Sequence, residues 1–217
     1  MDFLPSEIDH YVNRHSEKEP DVLYHLYRET HQKVLNPRML AGHLQGRVLS
    51  MLSHMLRPKQ ILEVGTFTGY SSICWSEGLQ KGGVIHTIDI NEEIEDFTAS
   101  YFEKAGVKDQ IKLHIGDALT IIPQLQQPWD VVFIDADKSN YASYYDLVFD
   151  QVKDNGYIII DNVLWSGKVT QPAEKHDEDT QAIVDFNKKI QKDQRVQNVL
   201  FPIRDGLMIC RKLPANG

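Results

Sequence analysis

The chain has 217 residues, 41% of them hydrophobic and 25% charged, with a formal net charge of −8. That length suits one sizeable domain, and the composition is that of a folded globular protein. No run approaches the roughly 18 apolar residues of a membrane span, and no basic cluster is denser than "NKKIQKDQR", so neither a membrane nor a nucleic acid is expected as partner.

The start, "MDFLPSEIDHYVNRHSEKEP", lacks a basic head followed by an apolar stretch, and a cytoplasmic location is expected. "PSEIDHYVNRH", "DVLYHLYRETHQKVL" and "MLAGHLQGRVLSMLSHML" read as helices, the last carrying Leu40, Leu44, Val48, Leu52 and Met55 at helical spacing. Residues 1–57 are thus expected to form a helical cap on a core spanning 58–217, the whole being one domain. Within the core, β-branched runs at 60–65, 83–90, 111–116, 129–136 and 156–162 read as buried parallel strands. Between them lie the helical patterns "SSICWSEGL", "NEEIEDFTASYFEKAG" with Asn91 and Gly106 as its caps, "ALTIIPQL", and "NYASYYDLVFDQVKDNG" ending at Gly156. Strand alternating with helix predicts an α/β fold, a parallel sheet covered on both faces. A loop at 166–179, one more helix in "DEDTQAIVDFNKKIQKD" and a hairpin around "RDG", supplying an antiparallel edge, complete the chain. Cys74 and Cys210 sit in apolar segments outside any metal spacing and read as core residues.

"ILEVGTFTGYSS" is a strand, a glycine turn and a helix start. Gly65 and Gly69 would let the backbone approach a ligand closely, and the amides beside Ser71 would favour an anion; a tight strand-to-helix connection wants the same glycines. Asp89 ends the next strand, where a carboxylate can accept both hydroxyls of a ribose. A dinucleotide turn would carry a third glycine, whereas Glu63 on this strand would repel a pyrophosphate and attract an amino group. A zwitterion beside a nucleoside describes S-adenosylmethionine. Asp117 and Ala118, after the third strand, fall where adenine would lie, and Asp117 equally suits a helix cap.

Asp135 ends the fourth strand and Asp161 and Asn162 the fifth. Carboxyl ends of parallel strands converge on one crevice, and two carboxylates with an amide oxygen are hard ligands suited to Mg²⁺ or Mn²⁺; the other reading is that each caps the helix that follows. Near such a cation the charged form of Lys138 is disfavoured, which suits a general base, while a solvated lysine at a helix start is the plainer account. Asp137 points the other way, as a structural partner or towards the cofactor.

Together these segments resemble the small, cation-dependent S-adenosylmethionine O-methyltransferases, the group of catechol O-methyltransferase and caffeoyl-CoA O-methyltransferase, over roughly residues 35 to 212. "MLAGHLQGRVLSML", "LEVGTFTGYSS", "IDIN", "FIDADKSNY" and "IIIDNVLWSGKV" occur in the family's order. The resemblance implies a Rossmann-like seven-stranded, mostly parallel sheet in the order 3-2-1-4-5-7-6, with one antiparallel strand, helices on both faces and extra N-terminal helices. It implies cofactor contacts by Met39, Glu63, Gly65, Gly69, Ser71, Asp89, Asp117, Ala118 and Asp135. It also implies cation ligation by Asp135, Asp161 and Asn162, deprotonation by Lys138, and Trp165 as an aromatic wall of the acceptor site. The implied acceptor is a small catechol-like or hydroxylated phenylpropanoid phenol, since only Lys33 and Arg38 stand where enzymes of coenzyme A esters carry basic residues, and the implied assembly is a homodimer. The competing classes are a nicotinamide-dependent oxidoreductase, a non-catalytic S-adenosylmethionine-binding protein, and a methyltransferase of RNA or protein.

Overall fold

Residues 5–215 are described by the computed structural model. The strands are β1 (Gln60–Val64), β2 (Val84–Asp89), β3 (Ile111–Ile115), β4 (Trp129–Ile134), β5 (Val152–Ile160), β6 (Val196–Phe201) and β7 (Leu207–Lys212). They form one seven-stranded sheet in the order β3-β2-β1-β4-β5-β7-β6. The helices are α1 (Ser6–His15), α2 (Asp21–Lys33), α3 (His43–Leu56), α4 (Tyr70–Ser76), α5 (Glu95–Lys104), α6 (Ala118–Leu125), α7 (Tyr141–Phe149) and α8 (Glu178–Lys192). None of the described helices is long and apolar enough to cross a membrane. The chain falls into two compact units, the described residues up to Ile121 and those from Ile122 onward.

In the first unit β1, β2 and β3 pair in parallel. Ile61, Leu62, Val64, Ile85 and Ile88 are buried, as expected of β-branched and leucine side chains in strands covered on both faces. Every residue of α4 is buried, and α3 lies against it through small and polar side chains rather than through the predicted apolar stripe. A Cβ on Gly46 would stand 2.5 Å from Tyr70 Cε1 and 2.9 Å from Cys74 Sγ, so this close approach requires glycine. Ser53 donates to the Trp75 carbonyl at 2.6 Å. The buried face of α3 is therefore Gln45, Gly46, Leu49, Ser50 and Ser53, while Met55 is 72% exposed. The helix also starts later than its periodicity suggests, because Gly42 at φ +78° breaks the run after Leu40. Asn91 caps the short turn Glu92–Ile94 that leads into α5 rather than α5 itself, accepting the Glu93 amide at 3.0 Å, and Gly106 turns left-handed at φ +70° after the helix, as read.

In the second unit β4 and β5 are parallel, and β7 runs antiparallel between β5 and β6. The antiparallel strand is thus interior and β6 forms the edge. Helix α7 ends at Phe149, not at Gly156, because Val152 pairs with Trp129 and starts β5 early. The ladder then slips, with Asn155 left-handed at φ +62°, before Tyr157 pairs with Val131. A Cβ on Gly156 would stand 2.8 Å from Val152 Cγ1, so this glycine serves a bulge and not a helix cap. The segment read as a loop carries short turns at 165–170 and 173–175, and Lys168 bonds Asp177 at 2.7 Å. Asp177 also caps α8 through the Thr180 amide at 2.8 Å. Cys74 and Cys210 are buried and unbridged, and burial pushes the Cys210 thiol up to about 12.

On β2 and β3, His86 Nδ1 lies 3.0 Å from His114 Nε2, with the rings stacked at 5.2 Å. Burial first, then His114 and Lys112, push His86 from 6.5 down to about 4, and burial lowers His114 as well. Both rings are neutral above pH 6.5 in either state. Below it the unfolded chain takes protons that the folded chain refuses until about pH 4, so stability falls as pH drops through that window. Urea unfolding at pH 7 and pH 5 should show a loss on the order of 1–2 kcal/mol, smaller in His86→Gln. An equal loss in that variant would remove the pair as its source.

Candidate active site

In the first unit Glu63, at the end of β1, is fully buried. Its Oε2 accepts the Thr87 hydroxyl at 2.6 Å and that of Ser72. The β1–β2 register sets Glu63 beside Thr87, and α4 brings Ser72 back over the strand end. A buried carboxylate needs such donors. The glycine turn folds in on itself: the Gly65 and Thr66 amides donate to the Ile88 carbonyl at 2.9 and 3.2 Å, and the Gly69 amide to Thr66 at 2.9 Å. These three amides of the turn have protein acceptors; the amides beside Ser71, at the start of α4, are the ones the sequence offers to an anion. Gly65 sits at φ +101° and Gly69 at φ +85°. A Cβ on Gly69 would stand 2.5 Å from Phe102 Cε1, so packing against α5 also demands glycine there. Ser71 is buried in the first turn of α4.

Asp89 ends β2 half-buried, taking the Phe67 amide on Oδ2 at 2.6 Å and the Asn91 amide on Oδ1 at 2.9 Å. A carboxylate oxygen accepts two hydrogen bonds, so each retains capacity for a ribose hydroxyl. Phe67 is left-handed at φ +47°, with its carbonyl taken by Thr98 Oγ1 at 2.9 Å. Strain of this kind in a bulky residue marks a turn held by its surroundings. Asp117 caps α6 through the Leu119 amide at 3.0 Å and Thr120 Oγ1 at 3.3 Å, next to the buried Ala118. Met39, in the short turn before α3, is 61% exposed.

In the second unit Lys138 is 8% exposed, and its Nζ is surrounded by oxygens. Its three protons face four acceptors, Tyr141 Oη at 2.6 Å, Asn162 Oδ1 at 2.8 Å, the Ala136 carbonyl at 2.9 Å and, longest, Asp135 Oδ1 at 3.3 Å. Asp161 is 2% exposed; its amide continues the ladder to Ile134 O at 2.9 Å, and its Oδ1 accepts the Asn162 amide at 2.7 Å. Asn162 is left-handed at φ +58°, a conformation asparagine tolerates. Tyr141 donates to the Asp161 carbonyl at 3.0 Å, and burial, followed by the Asp135 and Asp161 carboxylates, pushes its ionisation well above the ordinary phenol range. Asp137 is structural, accepting Tyr144 Oη at 2.5 Å and Asn140 Nδ2 at 2.6 Å, which fixes the turn that carries Lys138.

These residues fit a hard divalent cation. Asp135 Oδ1 and Asn162 Oδ1 already hold a positive charge between them, the Lys138 ammonium, and Asp161 adds a second carboxylate. No group of three or more His, Cys, Asp or Glu gathers among the described residues. The set depends on an amide oxygen as its third member, which suits Mg²⁺ or Mn²⁺ better than a soft metal.

Trp165 stands beside this cluster, its ring centroid 5.5 Å from Lys138 Nζ and 5.9 Å from Lys168 Nζ. Trp165, Ser166 and Gly167 are consecutively left-handed, at φ +47°, +54° and +78°. The β6–β7 turn holds them in place: Asp205 Oδ1 accepts the Ser166 amide at 2.5 Å and its carbonyl the Leu164 amide at 2.9 Å. Trp165 Nε1 is buried without a hydrogen-bond partner. Within the second unit the structure thus gathers Asp135, Lys138, Asn162 and Trp165 with Asp161 adjoining, and within the first it gathers Glu63 and the glycine turn beside Asp89. Sequence reasoning missed Ser72, Thr87, Tyr141 and Asp205. Tyr141 carried a weak signal, closing the very segment that contains Asp135 and Lys138.

Gly69→Ala meets both the Phe102 ring and an unfavourable φ, and should destabilise the fold by about 2–4 kcal/mol in urea unfolding. A midpoint equal to that of the parent would show that α5 does not pack as described.

A family model described as O-methyltransferase matches residues 13–213. Caffeoyl-CoA O-methyltransferase of Petroselinum crispum is 32% identical over 209 residues, covering 90% of this chain and 86% of that protein. Among solved structures, the SAH-bound methyltransferase PaMTH1 of Podospora anserina superposes with a TM-score of 0.89 at 27% identity, covering 99% of this chain and 100% of that one. An O-methyltransferase of Bacillus cereus in complex with SAH gives 0.87 at 27% identity, covering 95% and 97%. With its sheet order, its strand-end carboxylates and this match across almost its whole length, the chain belongs to the O-methyltransferase family.

Proposed function

We propose that the chain transfers the methyl group of S-adenosylmethionine to a hydroxyl of a catechol-like or hydroxylated phenylpropanoid phenol, with Mg²⁺ or Mn²⁺ required. The observation that carries this reading is the buried Lys138 amine, within hydrogen-bond reach of Asp135 and Asn162 and beside the Trp165 ring. The missing third glycine and the surplus of hard-ligand side chains count against a nicotinamide-dependent oxidoreductase, and a non-catalytic binding protein has no need of a base beside a cation. The SAH-bound relatives support the cofactor. The acceptor reading takes the phenylpropanoid from the relative's name, which is that of a coenzyme A ester enzyme, and the preference for a small phenol rests on Lys33 and Arg38 being the only lysine and arginine in the stretch directly ahead of the "MLAGHL" segment.

Asp135, Asp161 and Asn162 would hold the cation. Met39, Gly65 and Ser71 would contact the methionine portion of the cofactor, with Glu63 as the negative charge at the adjoining strand end; Gly69 shapes the turn. Asp89 would take the ribose hydroxyls, and Asp117 and Ala118 would border the adenine. When bound, S-adenosylmethionine supplies a methyl group on a sulfonium that leaves as a neutral thioether, and the cation supplies charge favouring the ionised acceptor hydroxyl. With Asp135 and Asn162 turned to the cation, Lys138 would act as the neutral amine and take that hydroxyl proton on Nζ, leaving the acceptor oxygen free to bond the methyl carbon as the carbon–sulfur bond breaks. Trp165 packs on the acceptor ring and excludes water. Orientation of the reacting oxygen, rather than proton chemistry, should carry most of the acceleration.

Incubating the chain with labelled S-adenosylmethionine and caffeic acid or other catechols should give methylated product with Mg²⁺ or Mn²⁺ and none with EDTA. Lys138→Ala should keep cofactor affinity within about twofold while turnover drops roughly 100-fold or more. Asp161→Ala should lose the cation dependence of acceptor binding in calorimetry. Product formed equally in EDTA would sink the cation requirement.

A homodimer is the assembly we propose, the exposed Tyr11, Tyr24, Tyr27 and Leu35 of the N-terminal segments supplying its apolar contact. Sedimentation equilibrium should return twice the chain mass; a single-chain mass at micromolar concentration would rule the dimer out.

A further inference from the structure

Four oxygens surround Lys138 Nζ, and they are not equivalent. On the function proposed above, Asp135 and Asn162 owe their oxygens to the cation, and the Ala136 carbonyl belongs to the turn that Lys138 itself occupies. Tyr141 is the remaining partner, and at 2.6 Å the closest of the four.

The direction of its hydrogen bonds is set by proton count. A phenol has one proton, and the Asp161 carbonyl has none to give, so Tyr141 donates to that carbonyl and can only accept from Lys138. The ring cannot turn away: it is fully buried and meets Phe186 edge-on at 5.7 Å. The phenol oxygen is therefore a fixed acceptor, anchored to the backbone of the residue whose carboxylate is a proposed ligand.

We propose that Tyr141 is the positioning residue for the base, its hydroxyl tethering Lys138 Nζ beside Trp165 while Asp135 and Asn162 serve the cation. The hydroxyl does not touch the acceptor and takes no proton in the reaction. It restricts the amine to one direction, and the backbone of Asp161 transmits that direction to the cation site.

Tyr141→Phe removes a single oxygen and keeps the ring. Acetic anhydride labelling read by peptide mass spectrometry needs no acceptor: in the parent chain Lys138 should react at least about 10-fold more slowly than the exposed Lys33 and Lys108, and in Tyr141→Phe its rate should rise about 3-fold or more relative to the other lysines. In turnover, Tyr141→Phe should lower kcat about 10-fold with acceptor KM and Mn²⁺ affinity within about 2-fold, and should cost nothing further in a Lys138→Met background. Lys138 labelled as fast as Lys33 in the parent chain, or a Tyr141→Phe loss of equal size with and without Lys138, overturns the tether. A parent chain inactive on every catechol but showing the labelling contrast would retire the proposed reaction and uphold the tether.

Discussion

A charge removed from water has to be surrounded by partners before the chain can close over it. Lys138 sets that requirement for the second unit. Its ammonium calls for acceptors on several sides, and they come from separate elements: Asp135 from the end of β4, Asn162 from the residues after β5, Tyr141 from the first turn of α7. Each element stops where it does partly for this reason. The left-handed turn at Asn162 ends β5 so that the amide oxygen can face the amine, and the Asp137 cluster of Tyr144 and Asn140 keeps the connecting turn from relaxing outward.

The first unit solves the complementary problem, a buried anion. Glu63 lies where parallel strands leave the apolar layer, and the Thr87 and Ser72 hydroxyls donate to it. On the proposed function, a cationic amino group at this strand end would supply the charge that the hydroxyls do not. The Thr66–Thr87 contact at 2.6 Å and the Thr30–Thr68 contact at 3.2 Å extend the same polar layer beneath the glycine turn. An apolar layer there would leave the carboxylate without donors.

Most of the sheet was legible in the sequence, because buried parallel strands are continuous apolar runs and each is followed by a turn rich in glycine or aspartate. The strand-end residues Glu63, Asp89, Asp135 and Asp161 were legible for the same reason: a charged side chain directly after such a run has few structural excuses. Hidden features depend on pairing across the fold. "QVKDNG" reads as the end of a helix until Val152 finds Trp129 and turns it into the start of a strand. The stripe on α3 misleads because contact with α4 selects for smallness at Gly46 and Ser53, and a hydrophobic count does not register smallness. Ser72, Thr87 and Asp205 are ordinary polar residues in sequence. They acquire roles from which group the fold sets opposite them.

The grip of the β6–β7 turn on the Trp165 segment separates two properties that most active sites entangle. Asp135, Asp161, Asn162 and Lys138 are positioned by β4, β5 and α7, whereas the Trp165 segment takes its posture from Asp205 and Gly206 in the β6–β7 hairpin turn. On the proposed function, substitutions in that turn would change which acceptor is admitted while leaving the Lys138 cluster in place.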